Sequence, residues 1–167
     1  MILAGQRMKM TSHNDVDLAK SLMKVLNKSG AEIMKKFKIN GATDITGFGL
    51  AGHALKMAKA SNVSLVFNIS RVPLIGSTYR LVDEGCIPSA SFHNLDFVEE
   101  DSCFGADLNY NLKMIAMDAQ TSGGLLMCVH PEISDQVLSA LHDAELTQSA
   151  VIGRVTEKRE KFLYLED

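Results

Sequence analysis

Gly41-Ala42-Thr43-Asp44-Ile45-Thr46-Gly47-Phe48-Gly49-Leu50-Ala51-Gly52-His53 changes character twice within a few residues. Ala42 to Thr46 is short and rich in β-branched side chains, the composition of a strand. Gly47 and Gly49 break it and permit a tight turn with close backbone approach. From about residue 49 to 61 the apolar residues Leu50, Ala54, Leu55 and Ala58 share one helical face. A strand therefore carries an acidic residue near its end, a glycine turn follows, and a helix starts at once. A helix start offers unpaired N–H groups and partial positive charge, which favour phosphate. Asp44 beside it can hold a hard cation through oxygen, and Mg²⁺ prefers one or two protein carboxylates with phosphate oxygens and water. On these residues alone two readings stand level: a magnesium–nucleotide site, and a strand–helix turn whose Asp caps the helix. A Walker loop is excluded, because no Gly-x-x-x-x-Gly-Lys-Ser/Thr occurs anywhere.

Downstream lies Asp118-Ala119-Gln120-Thr121-Ser122-Gly123-Gly124-Leu125-Leu126. Polar side chains and two glycines precede an apolar strand, and small residues there let a backbone or a ligand come close. Alone, the segment reads first as a turn entering a core strand.

The remaining pattern fills in around these two segments. Residues 1–12 show no period and are expected to be an extended or loose lead-in, so the chain divides into a lead-in over 1–14 and one domain over 15–167. Val16, Ala19, Leu22, Met23 and Leu26 recur at helical spacing, the pattern weakens at Ser29-Gly30, and Ala31, Ile33, Met34 and Phe37 resume it. One bent helix or two helices fit residues 15–37. Val63 to Ile69 reads as a buried strand, and a short helix around Tyr79, Leu81 and Val82 ends at Gly85. Residues 86–106 show no element beyond a strand near 95–99. Asn109 to Met117 fits a helix, Gly123 to Val129 a strand, and Pro131 opens a helix reaching about residue 143. Ala150 to Val155 and Phe162 to Leu165 read as two last strands separated by a charged turn. Strands alternate with helices but the last two are nearly adjacent. The expected class is α+β, a mixed and largely antiparallel sheet covered by helices.

Composition narrows the function classes. With 167 residues, 46% hydrophobic and 22% charged, the chain can bury an ordinary core. Trp is absent and nine Met are present, so that core is mostly aliphatic. A net charge of -3 points to neither nucleic acid nor an anionic membrane surface. Lys35, Lys36 and Lys38 read as a solvated helix end. Cys86, Cys103 and Cys128 are odd in number and widely spaced, which disfavours a disulfide framework or a zinc site and makes a reducing cytoplasm the default location. No apolar run is long enough to span a bilayer.

Taken together, Thr43-Asp44-Ile45-Thr46-Gly47-Phe48-Gly49-Leu50 with Gly52-His53, then Gln120-Thr121-Ser122-Gly123-Gly124-Leu125-Leu126, resemble the two signatures of selenophosphate synthetase (selenide, water dikinase). Leu26-Asn27, Val72-Pro73-Leu74, Gly85-Cys86-Ile87-Pro88, Asn94 and Val151-Ile152-Gly153 extend the likeness over about residues 15–155. That family makes selenophosphate from selenide, ATP and water, releasing AMP and phosphate. It belongs to a wider group that includes aminoimidazole ribonucleotide synthetase. The present chain is similar to its carboxy-terminal domain.

The resemblance implies roles that the residues alone do not. Asp44 would bind Mg²⁺ at the nucleotide phosphates, with Thr43, Thr46, Gly47 and Gly49 shaping the phosphate end. The family's catalytic Cys or selenocysteine, its essential Lys and its other metal-binding Asp residues lie in an amino-terminal domain. No catalytic residue is therefore assigned here, and ATP, Mg²⁺ and selenide would be shared with that partner domain. Cys86 reads as structural and His53 as a packed or capping residue. Two departures stand out: Ala119 replaces the family's usual Pro, and Ser89-Ala90-Ser91 follows Pro88 where Gly-Gly-Thr is common. They favour an alternative, an orphan non-catalytic domain that binds or dimerises, and a homodimer is one expected form of it.

Overall fold

The computed structural model describes residues 1–167. The helices are α1 (Ile2–Arg7), α2 (His13–Lys24), α3 (Lys28–Lys36), α4 (Gly49–Ser61), α5 (Thr78–Asp83), α6 (Ser89–Glu99), α7 (Tyr110–Ala116) and α8 (Ser134–Asp143). The strands are β1 (Gly41–Asp44), β2 (Val63–Asn68), β3 (Ser102–Phe104), β4 (Leu125–Cys128), β5 (Gly153–Glu157) and β6 (Leu163–Glu166). The class is α+β with mixed pairing, as the sequence pattern implies. The strands form two sheets, however: an antiparallel β1–β4 ribbon and a four-stranded sheet ordered β3-β6-β2-β5. Antiparallel pairing accounts for two of the four ladders, because β2 runs parallel to β6 and β6 parallel to β3.

Helix α4 joins the two sheets. Its small inner residues Ala51, Ala54 and Ala58, with Leu55, meet Leu65 and Phe67 of β2, Leu163 and Leu165 of β6, and Ile45 and Leu126 at the ribbon. Small side chains let the helix sit close to the strands, and Asn62 ends it in the left-handed region at φ 50. This packing fixes the start of α4 against the end of β1.

The last two strands do not pair with each other. β2 lies between them, antiparallel to β5 and parallel to β6. The connection from β5 to β6 must pass around the start of β2, and Ser64 holds it there. The fully buried Ser64 hydroxyl donates to the Lys161 carbonyl (2.6 Å) and accepts from the Arg159 N–H (2.8 Å). Ser64→Ala removes the partner of both groups. A loss of about 1–3 kcal/mol is expected from urea denaturation, and an unchanged midpoint would show that water replaces the hydroxyl there.

Two expectations are corrected, and the choice left open for residues 15–37 is decided. Residues 1–12 are not a loose lead-in: α1 forms there, and Ile2 packs with Val16, Ala19, Leu81 and Cys86. Six residues are too few to display a helical period, so tertiary burial carries this helix. Residues 15–37 hold two helices separated at Val25–Asn27. Residues 86–106 contain α6 and β3, and the strand expected near 95–99 is the second half of α6. The buried face of α6 is Ser91, Asn94 and Val98, while Phe92 and Phe97 are exposed. A helix with polar residues inside and aromatic residues outside presents an inverted pattern. No helix is long and apolar enough to cross a membrane.

Candidate functional site

The β1–β4 ribbon brings the two glycine segments side by side. Asp44 stands opposite Leu125 in the ladder. Beyond it, the Ile45 N–H donates to the Gly124 carbonyl (3.0 Å), the Gly123 N–H to the Ile45 carbonyl (2.9 Å) and the Gln120 N–H to the Thr46 carbonyl (3.0 Å). Ser122 and Gly124 turn the second segment through positive φ, at 55 and 81. Seventy-odd residues of chain separate the segments, and three backbone hydrogen bonds close them into one surface.

Asp44 ends β1 with its side chain exposed, and no ion pair within the chain engages it. It does not cap α4: the cap position is Phe48, which makes no side-chain capping bond. The strand–helix turn with a capping Asp is thereby set aside. At the helix start the Gly49 N–H reaches Thr46 O and the Gly52 N–H reaches Phe48 O, whereas the N–H groups of Gly47, Phe48, Leu50 and Ala51 make no backbone hydrogen bond. Free amides and positive dipole thus follow an exposed carboxylate within seven residues of chain.

The two glycines of the turn serve different ends. Gly49 has φ 66, and a Cβ there would lie 2.8 Å from the Asp118 carbonyl oxygen and 2.9 Å from the Met117 carbonyl carbon. It is the point where α4 touches the second segment. Gly47 is exposed, and a Cβ would meet nothing within 4 Å.

Thr43 and Thr46 are both engaged locally. The Thr43 hydroxyl donates to the Asp44 carbonyl (3.0 Å). The Thr46 N–H donates to His53 Nε2 (3.0 Å), and the Thr46 hydroxyl lies 3.0 Å from the same nitrogen. By accepting this backbone N–H, His53 holds the turn from α4. This is the capping role expected for it. Phe48 packs edge-on to His53 with ring centroids 5.8 Å apart, and the Lys56 ammonium lies 3.8 Å above the Phe48 ring. Lys56 adds positive charge beside the turn.

Asp118 opens the second segment but faces inward. It is 8% exposed, and its Oδ2 accepts from the Met1 nitrogen (2.7 Å) and from Gln120 Nε2 (3.2 Å). Burial pushes its carboxyl above the usual range, against the pull of the Met1 amino group and the Gln120 amide. Asp118 is therefore not presented to solvent beside Asp44. No three His, Cys, Asp or Glu side chains gather anywhere. A metal held by protein groups alone does not fit this surface. An oxygen ligand for a hard cation that is also bound by phosphate does.

The two departures leave the backbone unstrained. Ser89, Ala90 and Ser91 form the first turn of α6, and neither they nor Ala119 have positive φ. These residues adopt no conformation that requires glycine. Cys86 is 2% exposed with its Sγ 3.7 Å from Met8 Sδ, a packed residue as expected. Burial pushes the Cys128 thiol up. Asn94 is the residue whose importance the sequence understated. It is buried on α6 and bonds to Gly47 of the first segment and to Met117, the residue before the second. A polar residue in phase with Val98 and Ser91 is the signal that marks it.

Comparison with known proteins agrees with this geometry. The family model described as "AIR synthase related protein, C-terminal domain" matches residues 3–166. The chain is 42% identical over 156 residues to the selenide, water dikinase of Porphyromonas gingivalis, covering 93% of this chain and 44% of that protein. Identity is 35% over 154 residues to the selenide, water dikinase of Clostridioides difficile, covering 92% and 44%. It is 34% over 168 residues to that of Treponema denticola, covering 98% and 47%. The chain spans less than half the length of these curated relatives. Two glycine segments closed into one surface, and a family match that runs almost from end to end, lead to one conclusion: the chain belongs to the AIR synthase related protein, C-terminal domain family.

Proposed function

We propose that this chain supplies one wall of a magnesium–ATP site in an ATP-dependent selenophosphate synthetase. The observation that carries the reading is the exposed, unpaired Asp44 carboxylate beside the free amides of Gly47, Phe48, Leu50 and Ala51. Asp44 would hold Mg²⁺ jointly with phosphate oxygens, and a bound Mg²⁺ would offset the charge of those oxygens. Thr43 and Thr46 fix the strand end and the turn, Gly47 leaves room for the phosphates, and Gly49 seats the helix start. The name selenide, water dikinase carried by the relatives supports this reading, and the resemblance in the two signatures implies the reaction in which selenide, ATP and water give selenophosphate, AMP and phosphate.

A nucleotide phosphate chain carries several negative charges, and phosphoryl transfer depends on positioning and charge stabilisation. One carboxylate and one helix start cannot supply the nucleophile, the remaining metal ligands and the adenine pocket. Those come from an amino-terminal domain. Leu18, Leu22, Val25 and Leu26 lie exposed along and just past α2, as a surface normally covered by further protein would.

The test is AMP formation. The chain alone is expected to give no selenide-dependent AMP, and addition of the amino-terminal half of the Porphyromonas gingivalis relative is expected to restore it. AMP formed by the chain alone, and lost in Asp44→Ala, would overturn the half-site reading.

A further inference from the structure

Asn94 lies one turn into α6, is 6% exposed, and donates from a single nitrogen to two carbonyls. Its Nδ2 is 2.9 Å from the Gly47 carbonyl oxygen in the first segment and 2.9 Å from the Met117 carbonyl oxygen just before the second. A carboxamide nitrogen has two hydrogens, and both are used. No other side chain in the structure hydrogen-bonds both to the first segment and to Met117 or the segment it leads into.

The Gly47 carbonyl is the one that the Ala51 N–H would take if the helical ladder of α4 began one residue earlier. Asn94 occupies that acceptor, and the Ala51 N–H makes no backbone hydrogen bond. In a trans peptide the carbonyl and the following N–H point in opposite directions. Drawing the Gly47 carbonyl inward toward Asn94 therefore turns the Phe48 N–H the other way. We propose that Asn94 is a positioning residue: by holding the Gly47 and Met117 carbonyls it fixes the two glycine segments in register and keeps the first amides of α4 free for an anion beside Asp44. The register part stands on geometry alone, and the anion part rests on the function proposed above.

Substitutions at this position separate the possibilities. Asn94→Asp keeps the shape but replaces two donors by a carboxylate facing two carbonyls. Asn94→Ala removes the donors without adding charge. Amide hydrogen exchange of the whole chain reads the clamp without any ligand. The Gln120 and Gly123 amides, which close the segments, are expected to exchange at least tenfold faster in both variants, while Leu65 and Val66 in β2 keep their protection. Inorganic phosphate added with Mg²⁺ then probes the cradle, and the Phe48, Leu50 and Ala51 resonances are expected to shift in the parent chain and to lose that response in both variants. Unchanged exchange at Gln120 and Gly123 would overturn the proposal. So would loss of protection spread evenly through β2 in both variants, which would make Asn94 a folding residue only. Selective exchange in the variants, with no phosphate response in the parent chain, would retain the register role and instead reject the nucleotide reading.

Discussion

Gly49→Ala is expected to destabilise the chain by about 2–5 kcal/mol, the largest loss from adding one methyl group to the site. Two costs add. At φ 66 an L-residue places its Cβ against its own carbonyl, which costs roughly 1–2 kcal/mol. The same Cβ would lie 2.8–2.9 Å from backbone atoms of Met117 and Asp118, and backbone cannot swing aside as a flexible side chain can. Forcing that overlap costs roughly 1–3 kcal/mol more. Domains of this size hold only about 5–15 kcal/mol in total. Gly47→Ala is the control, because a Cβ there meets nothing within 4 Å, and its cost should stay within about 1 kcal/mol. Urea denaturation of both variants checks the contrast. Equal losses would mean that α4 does not press on the second segment as described.

Asp44→Ala should behave in the opposite way. An exposed side chain without an ion pair contributes little to folding, so stability should change by no more than about 0.5 kcal/mol. Turnover in the assembled two-domain enzyme should fall on the order of a hundredfold to a thousandfold, the usual cost of removing one fixed group that stabilises transferred charge. Asp44→Asn should fall almost as far, since the amide keeps the shape but loses the charge that holds a hard cation. Steady-state AMP formation and a thermal melt on the same preparations give both numbers. A variant that melts early, or one that turns over at the parent rate, would remove Asp44 from the site.

The site was legible in the sequence because its determinants are local. A strand, an acidic residue, two glycines and a helix occupy thirteen consecutive positions, and each residue type has a distinct backbone or charge consequence. What was not legible was which glycine is obligatory. Gly49 is constrained by Met117 and Asp118, far away in the chain, whereas Gly47 is constrained by nothing in the chain. The direction of Asp118 was equally hidden: two acidic residues beside two glycine turns look alike in sequence, yet one faces solvent and the other faces Met1 and Gln120.

The fold shows the same division. α4 and β2 follow apolar period and were readable. α6 was not, because Asn94 lies inside to bond backbone and Ser91 lies inside with its hydroxyl unpartnered, while Phe92 and Phe97 lie outside. The strand order of the larger sheet depends on β2 entering between β5 and β6, a long-range pairing held at Ser64 that no local pattern encodes.

All of this comes down to whether phosphate sits where β1 gives way to α4. Titrating the isotopically labelled chain with ATP, with and without Mg²⁺, while following every backbone amide, tests that most directly. The account predicts weak, Mg²⁺-dependent shifts confined to the residues around Asp44, the Gly47–Ala51 amides and the facing Gln120–Gly124 turn, absent in Asp44→Ala. Shifts that cluster on another face, or that persist unchanged without the Asp44 carboxylate, would contradict it.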